Sequence, residues 1–160
     1  MTVLTSIPSA AENKPAPVFD PAIQEIRDKV QIPILLPSKL PSVIHEPEIK
    51  LALGTVSGSG YNIELYYSEV GSGATFAANF GGSTQVFRDL PNTRRVKLTN
   101  GIEGMFRPVS CGGSCAPANL WWEQNRVMYQ IQIKLSSTTN EKEQKRVLVE
   151  TANSVVPVRN

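Results

Sequence analysis

The sequence predicts an α+β fold: a mostly antiparallel meander sheet, with a short N-terminal helix and a C-terminal helix packed on one face. Three observations carry this. From Ile49 to Leu135 the chain alternates apolar and polar residues in short runs broken by glycine- and asparagine-bearing turns. Beyond Asn140, Gln144, Val147, Leu148, Thr151, Ala152 and Val155 recur at i, i+3, i+4 spacing, with charges on the other side. Eight of the 12 prolines fall before residue 48, which sets a segmented N-terminal third apart from a β-rich remainder.

Taken in order, residues 1–18 are polar and proline-bearing and are expected to be a flexible segment, with residues 19–160 forming a single domain. In "DPAIQEIRDKVQ", Asp20 can cap a helix, Pro21 suits its first position, and Ile23, Ile26 and Val30 share a face. Pro33 ends it. The prolines of "IPILLPSKLPSVIHEPE" remove backbone donors, so this stretch reads as extended, packing Ile34, Leu35 and Leu36 inward as an edge strand.

"IKLALGTV" and "YNIELYYS" follow as strands, the second placing Tyr61, Ile63, Leu65 and Tyr67 on one face. In "ATFAANF", Phe76 and Phe80 are expected to share a face. Asn100-Gly101, between "RRVKLT" and "IEGMFRPV", suits a tight type I′ hairpin. "NLWWEQ" and "VMYQIQIKLSS" flank a turn at Asn125-Arg126, and Val127, Tyr129, Ile131, Ile133 and Leu135 give the cleanest period-2 pattern of the chain. Asn140 with Glu143 makes a capping-box-like start for the last helix, and Pro157 closes it.

A hydrophobic content of 41% and a charged content of 19% are those of an ordinary globular chain. The net charge of +2 is too small to predict nucleic acid as a partner. Arg94, Arg95 and Lys97 form the densest basic cluster of the middle region, and their alternation with Val96 and Leu98 reads as the wet face of a strand. No stretch is long and apolar enough to span a membrane. The first ten residues carry neither a basic region nor an apolar core, so they are not an intact signal peptide.

Both cysteines lie in "SCGGSCAP". A thioredoxin-type site has two intervening residues and a helix to follow; here there are three, and a strand follows. A zinc site needs four ligands, and the chain has one histidine, His45, in a proline-flanked loop. The expected state is a disulfide between Cys111 and Cys115, with Gly112-Gly113 letting the chain double back through positive φ. Such bonds persist in oxidising compartments, so the expected location is periplasmic or extracellular. No metal and no cofactor are expected.

The glycine pairs match no phosphate-binding loop and sit at hairpin spacing. Glu64, Glu69, Glu103 and Glu123 lie on strands or their ends, where a facing pair of carboxylates would allow glycoside hydrolysis. Trp121 and Trp122 are adjacent on a strand and therefore point to opposite faces, as do Tyr66 and Tyr67. One tryptophan enters the core. The other, with Tyr66, could offer a shallow platform to a sugar or a protein.

The segments "VKLTNGIEGMF", "NLWWEQNRVMYQIQIKL" and "EKEQKRVLVETANSV" resemble the C-terminal half of exported bacterial domains, among them the exterior domains of anti-sigma-type and sporulation-associated lipoproteins. The matching residues are Gly104, Leu120, Trp122, Tyr129, Ile131, Ala152, Asn153 and Ser154, and "IPILLPSKLP" is similar to the opening segment of those domains. The cysteine insert and the lack of a membrane helix depart from that pattern. The resemblance implies a non-catalytic α+β domain outside the cytoplasm. The expected function is therefore a non-enzymatic, exported or envelope-associated domain that recognises a protein or an envelope component. The alternatives are a carbohydrate-binding module using exposed Trp and Tyr, or a small hydrolase using the strand carboxylates.

Overall fold

The computed structural model describes residues 14–159. The chain joins the fold at Ala16, which is buried and donates its N–H to Pro37 O at 2.9 Å. This is two residues ahead of the expected boundary at 18, and residues 1–13 of that expected flexible segment lie outside the described residues. A 3₁₀ turn, Pro17–Phe19, leads into α1 (Asp20–Ile26), so Asp20 is a helical residue and caps nothing. The helix ends earlier than its apolar spacing suggests, because Lys29 N–H bonds Ile26 O and tightens the chain into a turn.

The strands then follow as β1 (Leu35–Pro37), β2 (Leu51–Ser57), β3 (Gly60–Tyr66), β4 (Phe76–Ser83), β5 (Arg94–Lys97) and β6 (Glu103–Arg107). A two-residue pair, β7 (Ser110–Cys111) and β8 (Cys115–Ala116), precedes β9 (Ala118–Gln124) and β10 (Val127–Ile133). Helix α2 (Glu141–Asn153) and β11 (Val155–Pro157) complete the chain. The main sheet has seven antiparallel strands in the order β2-β3-β4-β10-β9-β6-β5. It is two local meanders, β2-β3-β4 and β5-β6-β9-β10, joined where β10 pairs with β4.

Turn chemistry sets the hairpins. Asn100 and Gly101 both take positive φ, as a type I′ turn requires. Asn125 and Arg126 do the same at the β9–β10 turn, which puts a non-glycine residue into the left-handed region at φ 65.

Cross-strand rows define the core face. Trp122, Tyr129, Gly82 and Tyr61 form one row, and Phe106, Leu120, Ile131, Phe80 and Ile63 form the next. The third is Ala118, Ile133, Ala78 and Leu65. A bulge at Ala77 breaks the alternation in β4. It pairs Phe76 with Tyr66, 6.0 Å between ring centres, on the face opposite to Phe80, which packs edge-on against Phe19 at 5.1 Å. The expectation that Phe76 and Phe80 share a face is thereby corrected.

Helix α1 lies over β2, with Ala22 and Ile26 against Gly54. Helix α2 lies over β9 and β10, with Gln144, Val147, Leu148, Thr151 and Ala152 buried as expected. Asn140 Oδ1 accepts from Glu143 N–H at 2.8 Å and caps it. The helix stops at Asn153, and Val155 belongs to β11, a correction to the helical reading of that residue. The stop is tied by Ser154, whose hydroxyl donates to Thr151 O and whose carbonyl accepts from Ser38 N–H. Strand β11 pairs with β1, so the proline-bracketed apolar segment is a strand, as expected, in a two-stranded ribbon.

That ribbon is fastened to the sheet by two buried phenols. Tyr61 OH accepts from Leu35 N–H and donates to Leu35 O, both at 3.0 Å, and Tyr129 OH donates to Pro33 O at 2.8 Å. Burial pushes the Tyr129 phenol up to about 12 and also holds Tyr61 well above its ordinary range, against the opposing effect of its bond with Leu35. Unfolded tyrosine ionises near pH 10. The stability these neutral phenols contribute is complete below pH 10 and falls as the pH rises through 10 to 12 and beyond. In a base titration, most tyrosinate absorbance is expected to appear together with loss of near-UV circular dichroism.

A second test concerns close backbone approach. A methyl group on Gly60 would sit 1.8 Å from Gly82 O, whereas one on Gly58 would meet nothing within 4 Å. Gly60→Ala is expected to cost about 3 kcal/mol in urea unfolding, and Gly58→Ala less than about 0.5.

Candidate functional site

Among the described residues, none forms a second layer over most of the sheet face away from the helices. Register places Thr55, Asn62, Gly81, Gln130, Trp121 and Met105 in one row of this face. The next holds Leu53, Glu64, Asn79, Gln132, Asn119 and Arg107. Amides therefore dominate the middle. Gln130 Nε2 donates to Asn119 Oδ1 at 2.7 Å, Asn119 Nδ2 to Pro117 O at 3.0 Å, and Asn79 Nδ2 to Gln132 Oε1 at 3.3 Å. Such an array prefers polar or amphipathic company to an apolar layer, because an unpaired amide in a dry interface costs about 1–3 kcal/mol.

Trp121 stands on this face, half-buried, with the Arg107 guanidinium 4.9 Å from its ring centre. The β4–β5 loop brings Phe87 alongside, 50% exposed. Together with Met128, Gln130 and Asn62, these two aromatics line a groove of about 130 Å³. Arg107 reaches back to the same loop, donating from Nη2 to Pro91 O at 2.8 Å. Arg88, also in the loop, pairs with Glu123 at 3.4 Å. The loop is thus attached to the face at both ends of Trp121.

The four aromatics singled out from the sequence do not form one surface. Trp122 is buried at 3% exposure, stacked on Tyr129 with 5.7 Å between ring centres. Tyr67 is half-buried at the core edge, its hydroxyl accepting from His45 N–H at 3.3 Å. Tyr66 is on the open face but is itself buried. It donates to the Glu64 carboxylate, and that bond above all pushes its phenol up to about 12. Three strand spacings and four residues separate Tyr66 from Trp121, close to 20 Å at about 4.8 Å per strand and 3.3 Å per residue. The aromatic beside Trp121 is Phe87. In the sequence it is distinguished only as the one aromatic residue of the β4–β5 loop, beside Val86 and Leu90. Arg107 and Met128 become visible only through the register.

Of the carboxylates, Glu64 holds Tyr66, and Glu69 is exposed in the loop after β3. Glu103 and Glu123 occupy facing positions one step beyond the Gly104–Trp122 pair. Each is engaged by an arginine, Arg95 at 3.2 Å and Arg88 at 3.4 Å. Among the described residues no group of three His, Cys, Asp or Glu side chains is placed to hold a metal ion, and no helix is long and apolar enough to cross a membrane.

Cys111 and Cys115 are joined as a disulfide across the β7–β8 pair, with 4.0 Å between their Cα atoms. Neither Gly112 nor Gly113 takes the left-handed conformation, so the tight return is made without it, the loop closing through Gly112 N–H to Ser114 O at 2.9 Å. The little hairpin is exposed throughout and lies between β6 and β9, the two strands that carry Arg107 and Trp121. No family model, curated protein or solved structure matches the chain.

Because the bond closes a short exposed loop and touches no core residue, it constrains a connection rather than the fold. The double variant Cys111→Ser/Cys115→Ser is expected to lose at most about 2 kcal/mol in urea unfolding and to keep its near-UV spectrum.

Proposed function

We propose that this protein is a non-enzymatic, exported or envelope-associated domain that binds a protein or an envelope component through the open face of its sheet. The observation that carries the reading is the Trp121 cluster. A half-buried indole and an exposed phenyl ring converge on a small groove set in an amide-lined surface, and the Arg107 guanidinium lies against the indole. Tryptophan and arginine are the residues in which binding energy concentrates at interfaces, and a fixed ring loses little entropy when it is covered.

The disulfide supports placement outside the cytoplasm, since thiol-reducing compartments do not maintain such bonds. A periplasmic or extracellular setting, a lipoprotein-like attachment and kinship with the exterior domains of anti-sigma-type and sporulation-associated lipoproteins belong to the same proposal. A carbohydrate is the second reading of the ligand. It is favoured by the pairing of the Trp121 and Phe87 rings with the amides of Asn62 and Gln130 in one groove.

The test is co-sedimentation of the purified protein with isolated cell envelopes, alongside titration with soluble envelope glycans. Trp121→Ala is expected to weaken binding at least thirty-fold, about 2 kcal/mol, with an unchanged far-UV spectrum. Equal binding by the variant refutes the face. Two titratable thiols in protein taken from its native compartment refute the location.

A further inference from the structure

A second surface, at the sheet edge two strands from Trp121, has its own chemistry. Among the described residues, strand β5 is an edge of the sheet with no partner beyond it. Leu98 N–H bonds Ile102 O at 2.7 Å, and the register runs on through Val96–Gly104 and Arg94–Phe106. Residues 94, 96 and 98 therefore turn their backbone groups toward β6, and the N–H and C=O of Arg95 and Lys97 point away from the sheet.

Beyond that edge lies a cleft of about 690 Å³ between β5 and α2. Arg95, Lys97, Lys142, Lys145 and Arg146 line it, against the single carboxylate of Glu143. Val96 and Val149 supply an apolar floor. Arg95 is shared with Glu103, and Arg146 with Glu143 and Glu150. Lys97, Lys142 and Lys145 have no ion-pair partner among the described residues.

We propose that this cleft receives an extended acidic segment of another polypeptide, which adds an eighth strand along β5. Main-chain bonds to Arg95 and Lys97 would give the register, and alternate acidic side chains would meet the lysines of α2. Charge on an edge strand commonly serves only to keep the edge unpaired. Here the register turns the Arg95 and Lys97 side chains to the Trp121 face, and the charge that faces the cleft from a different element is that of Lys142, Lys145 and Arg146. A second copy of this chain does not fit. Two β5 edges would set Arg94, Arg95 and Lys97 against the same cations, and the other edge, β2, holds no acidic residue.

The experiment uses the full chain and a capped octapeptide of alternating Asp and Val, followed by amide hydrogen exchange. Binding is expected to slow exchange at Arg95 and Lys97 at least ten-fold and to weaken steeply between 50 and 500 mM salt. Lys97→Pro removes an outward donor at a position an edge tolerates, and is expected to reduce affinity at least ten-fold. Lys142→Gln/Lys145→Gln, away from the backbone, is expected to do the same. Trp121→Ala is expected to leave peptide binding unchanged, which separates this proposal from the open-face reading. Absence of binding, binding without protection of Arg95 and Lys97, or equal binding of sulfated oligosaccharides or anionic vesicles would overturn it.

Discussion

The seam between β4 and β10 is the pairing on which the rest of the structure depends. Every other neighbouring pair in the main sheet joins strands of one local meander, whereas this one brings Ala78–Ser83 to Met128–Ile133 from well apart in the chain. Only when it closes do the core rows become continuous, with Phe80 beside Ile131 and Gly82 between Tyr61 and Tyr129. The absence of a side chain at Gly82 matters at this point, because an added methyl would stand 2.8 Å from the Tyr61 ring and 3.0 Å from that of Tyr129. The two rings close over the backbone and deliver their hydroxyls to the ribbon above. Sheet, ribbon and helices are therefore organised by one long-range contact whose loop-closure entropy the buried rows must offset.

Signals that depend on a few consecutive residues were legible in the sequence. The alternation of Val127 to Ile133, the Asn100-Gly101 and Asn125-Arg126 turns, the Asn140 cap and the bond between the two cysteines all follow from local geometry. What was hidden is non-local or arises from irregularity. Nothing in "ATFAANF" announces the bulge at Ala77, which changes the face of Phe76, and nothing in Val155 announces that Leu35–Pro37 is waiting to pair with it. The pairing of β4 with β10 is of the same kind, since strand preference says which segments extend and not which segments meet.

The same division applies to the candidate sites. Adjacency told that one tryptophan faces outward, and burial of Trp122 leaves Trp121 in that role. The identity of its neighbours needed the register, which puts Met105 opposite Trp121 and Arg107 one step along the same face. The basic cluster at Arg94, Arg95 and Lys97 reads in sequence as a solvated strand. Its meaning changes when the fold sets the lysines of α2 across from it, some 45 residues further on.

The ribbon of β1 with β11 bears on orientation. It gathers the described ends of the chain, so that Lys14 and Arg159 border one cavity on the helix side of the sheet. The helix side of the sheet thus carries both described ends, and the amide-lined surface with Trp121 looks the other way.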